Sequence, residues 1–184
     1  MNSTQPYSLK DLQTDVDDTN VMSSIQAHDR QALEKLYLIY YGPLARFLSR
    51  IVAQSSAVDE IINDTFVTIW MCAKDFRGES RVAAWIFGIV YRTALQSMGL
   101  HRVRRSRSFA EIFRRDDTDL TSGGSYIDRL ECRLNRLPME ERATLALTYQ
   151  MGFSIDEIAE ITQVAPATVK VRMFRVRLGL HRIV

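Results

Sequence analysis

The chain has 184 residues, of which 46% are hydrophobic and 25% charged, a composition typical of a globular protein that can bury a core. Its length allows one large domain or two small ones. No apolar run reaches the ~18 residues of a membrane span, no secretion signal is apparent, and two cysteines are too few for a disulfide framework. Only four prolines and eight glycines argue against a loop-rich all-β protein, so we expect a mostly helical cytoplasmic protein.

The formal net charge is only +2, but the charges are segregated along the chain. Acidic residues cluster within 11–18, and arginines cluster within 102–115. The last stretch, 165–184, contains lysine and arginine but no acidic residue. A basic block on a helix is typical of nucleic-acid-binding proteins, although a basic run can equally be solvated surface.

The chain begins with a polar, acidic segment without helical periodicity, residues 1–20, which we predict to be a disordered tail. From Asp29 onward, apolar residues recur three and four positions apart, which predicts a helix. Because proline cannot donate an intrahelical hydrogen bond, we expect Gly42 and Pro43 to end this helix. Pro43 is also suited to the first position of a second helix.

Two further helices are predicted, over about 57–74 and about 80–98, with Ser80 as the N-cap of the latter. Short connections join the four helices, so residues 21–99 are predicted to form an all-α domain. On the third helix, four polar residues lie on a face separate from the apolar stripe: Asp59, Glu60, Asn63 and Asp64.

Residues 100–125 interrupt the helical pattern with an arginine run, an acidic cluster and a Thr-Ser-Gly-Gly-Ser segment. A stretch of this length without periodicity predicts a linker between two domains, flexible at least in its second half. Two interpretations of the arginines within 102–107 stay open: contact with DNA or a protein partner, and solvated surface charge. Helical periodicity resumes at Tyr126, so the second domain is predicted to comprise residues 126–184.

The second domain ends in a pattern that predicts a helix-turn-helix. Ser154 and Glu157 have the spacing of a capping box, and Pro166 is suited to the first position of the last helix. That helix directs apolar residues inward and leaves four basic side chains outward: Lys170, Arg172, Arg175 and Arg177. A helical hairpin with a solvated charged face is the alternative, but the absence of acids after Glu160 favours DNA binding.

Three ordered motifs resemble the extracytoplasmic-function (ECF, group IV) sigma factors of the sigma-70 family, which are promoter-specificity subunits of bacterial RNA polymerase. They are AVDEIINDTFVTIW (57–70), FRGESRVAAWIFGIVYRTA (76–94) and FSIDEIAEITQVAPATVKVRMFRVR (153–177). The resemblance covers about residues 27–99 and 126–182. It implies an all-α chain in which a four-helix sigma domain 2 and a helix-turn-helix sigma domain 4 are joined by a flexible linker.

The resemblance also implies a function and partners. Such a subunit binds core RNA polymerase, through the β′ coiled coil and the β subunit, and directs promoter-specific transcription initiation, often in a stress response. An inhibitory anti-sigma factor is a further implied partner, and promoter DNA is the ligand. No cofactor, metal, enzymatic activity or membrane insertion is implied.

Site residues follow from the resemblance position by position. The polymerase-binding residues are Asp59, Glu60, Asn63 and Asp64. The residues implied at −10 promoter DNA are Phe76, Arg77, Ser80, Trp85, Tyr91 and Arg92. The residues implied at −35 DNA are Lys170, Val171, Arg172, Phe174 and Arg175. Arg92 replaces a common asparagine and Val171 a common serine, which concerns the promoter sequence that is read. Trp85 could equally pack in the core.

Two other functions are considered. An independent helix-turn-helix regulator would explain the last 60 or so residues, but it leaves the motifs of the first domain without a role. A pure interaction module with a degenerate DNA-binding face is a weaker alternative. Nothing in the sequence favours catalysis, since the three histidines lack the spacing of a metal site or a catalytic triad.

Overall fold

The structure is a computed structural model that describes residues 15–99 and 132–181, and within these ranges it contains helices and no strand. The helices are α1 (Asp15–Gln26), α2 (Arg30–Ile51), α3 (Ser56–Cys72), a 3-10 turn (Ala73–Asp75), α4 (Val82–Ser97), α5 (Met139–Tyr149), α6 (Ile155–Thr162) and α7 (Pro166–His181). Residues 132–136 are also helical. The all-α prediction is confirmed, whereas the predicted linker 100–125 lies outside the described residues.

Helix α1 corrects the predicted extent of the N-terminal tail, because residues 15–20 are its first turns. Apolar side chains anchor this helix, since Met22 and Ile25 are buried in the core. A polar contact adds to them: the Tyr40 hydroxyl donates a 2.5 Å hydrogen bond to the buried carboxylate of Asp18. The prediction missed α1 because its three aspartates and two serines dilute the apolar periodicity.

Helix α2 is continuous across Pro43, so the predicted break at Gly42 and Pro43 is wrong. It begins at the N-cap Asp29, whose side chain accepts hydrogen bonds from the first free backbone amides. Proline removes one intrahelical hydrogen bond, but Tyr40 and Leu44 on its two sides are buried in the same core. Burial of both turns therefore holds the helix together through the proline.

Helices α3 and α4 pack against each other, and α2 packs against α3, where the rings of Tyr37 and Phe66 lie 4.8 Å apart. The loop after α3 is fixed to α1 by Gln26, whose side-chain amide donates to the carbonyls of Ala73 and Phe76. Helix α4 starts at Val82 with Arg81 as its N-cap, so the predicted N-cap at Ser80 lies one residue too early.

The predicted helix-turn-helix is present as α6 and α7. Its capping box forms as expected: Ser154 accepts a hydrogen bond from the Glu157 amide, and Glu157 accepts one from the Ser154 amide. Helix α7 begins at Pro166, and its inward side chains Val169 and Met173 are buried.

Helices α1–α4 and helices α5–α7 share one hydrophobic core. Helix α4 packs on α6 and α2 packs on α5. At this junction the rings of Phe87 and Phe153 lie 5.1 Å apart in edge-to-face geometry, which is a favourable aromatic arrangement. The two predicted domains are therefore in direct contact in this conformation.

Two polar contacts and one glycine accompany this junction. Arg81 Nη1 lies 3.0 Å from Glu157 Oε1, and Arg142 Nη2 donates a 3.0 Å hydrogen bond to the Ile51 carbonyl at the end of α2. A Cβ at Gly88 would lie 3.9 Å from the Cα and carbonyl oxygen of Ile161. A side chain larger than that of alanine at position 88 would meet that backbone, so the close approach of α4 and α6 requires a small residue there.

Candidate functional site

The first candidate surface is the polar face of α3. Its four predicted polymerase-binding residues are all exposed, which leaves their side chains available to a partner. The Tyr41 hydroxyl donates a 2.8 Å hydrogen bond to Asp59 Oδ1. This bond to a carboxylate raises the pKa of Tyr41 above its ordinary value. Tyr41 thereby ties one carboxylate of this face to α2, while Glu60 and Asp64 are exposed to solvent.

The same face of α3 continues with apolar side chains that the sequence reasoning did not single out. Val67 is 58% exposed and Met71 is 76% exposed. Val67 lies three residues after Asp64 and seven after Glu60, and Met71 lies four residues after Val67 and seven after Asp64. The four side chains therefore form one stripe along the helix. Exposed large apolar groups beside carboxylates are typical of a protein-binding surface. This apolar continuation could have been found by extending the polar face by two helical turns.

The second candidate surface lies around the loop before α4 and differs from its predicted composition. Phe76 and Tyr91 are buried, at 8% and 1% exposure, and Phe76 packs 5.4 Å from the half-buried ring of Trp85. In this conformation neither Phe76 nor Tyr91 presents a ring face on which a base could stack. The exposed parts of the predicted −10 surface are the cations Arg77 and Arg92, with Ser80 and Trp85 partly accessible.

The third candidate surface is the outward face of α7. Lys170 is exposed, and the large apolar side chains of Val171, Phe174 and Leu178 are 47%, 61% and 49% exposed. At about 100° per residue these three lie within about 60° of one another on the helix, opposite the buried stripe. Cations flank the apolar stripe on both sides. Sequence reasoning missed Leu178, which is placed one turn beyond Phe174.

Two of the predicted −35 residues are less accessible than expected. Arg172 and Arg175 are half-buried, and Arg175 Nη1 lies 3.8 Å from Oε1 of Glu141 on α5. Glu141 is itself buried, and this burial raises the pKa of its carboxyl group, while Arg175 and Arg172 oppose the rise. Glu141 was not singled out from the sequence, because an acidic residue in the first turn of a helix is ordinary.

Two negative observations hold for the part of the chain that the structure describes. No helix there is long and apolar enough to cross a membrane. No group of three or more histidine, cysteine, aspartate or glutamate side chains there could hold a metal ion. Of the two free cysteines, Cys72 is half-buried and Cys132 is exposed.

Family models match both halves of the chain in the predicted order. Residues 36–108 match the model of sigma-70 region 2, and residues 127–180 match that of sigma-70 region 4. Together the two matches span more than half of the chain. They contain the exposed face of α3, the loop before α4 and the helix-turn-helix.

Curated relatives agree with these matches. The chain is 26% identical to the ECF RNA polymerase sigma factor SigM of Mycobacterium tuberculosis, covering 90% of this chain and 84% of the relative. It is 25% identical to the RNA polymerase sigma-H factor of Pseudomonas aeruginosa, covering 92% and 94%.

Solved structures show the same fold. CnrH in complex with the cytosolic domain of CnrY has a TM-score of 0.66 at 22% identity, covering 90% of this chain and 96% of that one. Sigma factor RpoE in complex with the anti-sigma factor NepR from Bartonella quintana has a TM-score of 0.60 at 23% identity, covering 82% and 94%. With its two region matches in order and its ECF relatives, the chain belongs to the sigma-70 family as an ECF RNA polymerase sigma factor.

Proposed function

We propose that this chain binds core RNA polymerase with its first domain, residues 21–99, and selects promoters with that domain and with residues 126–184. The observation that carries the proposal is the ordered pair of family matches, each of which includes an exposed, chemically distinct surface. The α3 surface is acidic and apolar, which suits a basic and apolar protein partner. The α7 surface is basic and apolar, which suits DNA.

At the polymerase, we expect Asp59, Glu60, Asn63 and Asp64 to contact the β′ coiled coil. The exposed carboxylates would steer the approach of a basic surface, and Val67 and Met71 would supply the apolar area that is removed from water on binding. Charge alone contributes little in an exposed interface, so the apolar continuation of the stripe supports a stable complex.

At the promoter, Arg77 and Arg92 would contact backbone phosphates of the −10 element, and Trp85 is the aromatic ring best placed to meet an unstacked base. In the major groove of the −35 element, Lys170 and Arg175 would donate to bases or phosphates, and Arg172 to a phosphate. Phe174 and Val171 would contact a thymine methyl group or a sugar.

The described conformation is a closed one that must open at a promoter. Elements at −35 and −10 lie ~25 base pairs apart, which at ~3.4 Å per pair is ~85 Å. A compact chain of ~150 residues has a radius of gyration near 15 Å, so the closed form cannot contact both elements. The 32 residues between Gly99 and Cys132 can extend to ~105 Å, which is long enough to join the separated domains.

An anti-sigma factor is the inhibitor that we propose for this chain. Two solved structures that share its fold are complexes, one with the cytosolic domain of CnrY and one with the anti-sigma factor NepR. The exposed apolar stripes on α3 and α7 are surfaces that such an inhibitor could cover. We further propose that the chain works in the cytoplasm, where its polymerase is, and that it acts by binding and catalyses no reaction itself.

Run-off transcription tests the proposal. Purified core polymerase is incubated with a genomic promoter pool, with and without this chain. New discrete transcripts that share spaced −35 and −10 elements would support sigma function. Absence of new transcripts, together with a shift of duplex DNA by the chain alone, would instead favour an independent helix-turn-helix regulator.

A matched pair of variants assigns the −35 surface. Arg175→Ala is expected to lower promoter-specific transcription while core polymerase binding is retained. Arg50→Ala removes the same charge at an exposed position in the last turn of α2 and is expected to transcribe like the wild type. Equal transcription by both variants would show that the −35 assignment is wrong.

A further inference from the structure

Glu141 is a buried carboxylate placed directly beneath the predicted DNA-reading helix. It lies in the first turn of α5 and is 5% exposed. Its Oε1 atom is 3.8 Å from Nη1 of Arg175, and the charge of Arg172 also acts on it. A buried carboxylate is costly unless cations offset its lost hydration, so the two arginines and Glu141 form one electrostatic unit.

The cations of α7 therefore belong to two groups. Lys170 and Arg177 lie on one flank of the exposed apolar stripe and are themselves exposed. Arg172 and Arg175 lie on the other flank and are half-buried. Arg175 lies 3.8 Å from Glu141, and the charge of Arg172 opposes the rise in the pKa of that carboxyl group. Within the described residues, Nη1 of Arg172 is buried and makes no hydrogen bond. The cations of this second group are therefore partly covered by the protein before any DNA is present.

We propose that Glu141 is a positioning residue for −35 recognition: it restrains the guanidinium of Arg175 so that its outer edge is oriented toward the DNA. This inference deepens the proposed sigma function and depends on it. A guanidinium is planar and has donors on more than one edge, so a carboxylate on one edge leaves another for a base or a phosphate. Orientation matters most for base contacts, which require a fixed donor plane.

A purely local role does not account for this placement. An acidic residue in the first turn of a helix gains from the helix dipole when it is exposed, and it does not need to be buried. The neighbouring Glu140 is in the same turn, is more accessible than Glu141, and no ion pair links it to α7 among the described contacts. Glu140 therefore provides a matched control for charge and for position in the helix.

The test uses holoenzyme assembled from core polymerase and the full chain. One promoter selected by the wild type is prepared with every single-base change in its −35 element, and transcription from each template is measured. Discrimination is the transcription from the best template divided by the transcription from each changed template. Glu141→Gln is expected to reduce this ratio about fivefold, since a good base contact contributes about fivefold discrimination or more. Glu140→Gln, with the same change in net charge, is expected to keep the wild-type ratio.

A double-mutant cycle with Arg175→Ala separates positioning from a general effect. If Glu141 acts through Arg175, Glu141→Gln causes no further loss of discrimination in the Arg175→Ala chain. Glu141→Asp, which keeps the charge, is expected to restore part of the discrimination and serves as the test if Glu141→Gln folds poorly.

The outcomes are distinguishable. Unchanged discrimination in Glu141→Gln would overturn the positioning role. So would a loss of discrimination on Glu141→Gln that is the same in the wild type and in the Arg175→Ala chain. In either case, promoter-specific transcription by the wild type would still support the sigma function. A wild-type chain that directs no promoter-specific transcription would overturn the proposed function and this inference with it.

Discussion

Opening of the closed conformation can be tested by enlarging one residue at the junction between the two groups of helices. A Cβ at Gly88 would meet Ile161 at an ordinary van der Waals distance of 3.9 Å and the mobile end of Arg92 at 3.3 Å. Gly88→Ala should therefore fit and should stabilise α4 by ~0.5–1 kcal/mol, because it removes a glycine from a helix interior. Gly88→Leu adds three more carbons against the backbone of Ile161.

Overpacking of this kind costs ~1–3 kcal/mol, and here separation of α4 from α6 would relieve it. The equilibrium between closed and open forms should then shift toward the open form by a factor of ~5–150. Spin labels at exposed positions of the two halves, introduced as Lys35→Cys and Ala167→Cys after replacement of Cys72 and Cys132, would report this as a longer mean distance.

The control for this experiment is Gly88→Ala, which should keep the wild-type distance distribution. Circular dichroism would verify that the leucine variant stays helical. A leucine variant that is fully helical and has an unchanged distance distribution would refute the reasoning, because the junction would then accommodate the side chain without opening.

Three further predictions concern stability and binding, and each uses a different measurement. Ser154→Ala removes the side-chain half of the capping box and should cost ~1 kcal/mol in urea denaturation; a cost near zero would mean that water replaces the cap. Burial raises the pKa of Glu141 in the folded chain, so the folded state binds more protons than the unfolded state just above the ordinary value. The free energy of unfolding of the wild type, relative to that of Glu141→Gln, should therefore fall as pH rises through that raised pKa. A difference that does not change with pH would contradict this prediction. Val67→Asp should weaken binding to core polymerase about tenfold in a pull-down titration, whereas Thr68→Asp, half-buried one residue along α3, serves as the comparison.

Local sequence patterns predicted the helix-turn-helix well because its determinants are local. The capping box of Ser154 and Glu157, the first-turn proline of α7 and the inward Val169 depend on neighbours within a few positions. Pro43 shows the opposite case. Its local tendency is to end a helix, but the burial of residues on both sides of it outweighs the one lost hydrogen bond.

The candidate site was predictable where exposure follows from helix periodicity, as for Glu60 and Asp64 on α3. It was not predictable where burial depends on distant elements. Tyr91 lies in the core and Glu141 lies beneath another helix, and neither placement can be derived from spacing along one segment. The contact of Phe87 with Phe153 joins residues 66 positions apart, so only the tertiary structure reveals it.

The shared core has a consequence for biosynthesis. The ribosome synthesises the apolar side of α4, which contacts α6 at Gly88, about 70 residues before it reaches Ile161, the residue of α6 that lies next to Gly88. At ~5–20 residues per second, a ribosome needs ~4–14 s to reach that partner, and during this time the nascent first half carries an uncovered apolar surface. During this time we expect the newly made chain to be open to chaperones and proteases. Its supply to the cell depends on how quickly the second half emerges and docks.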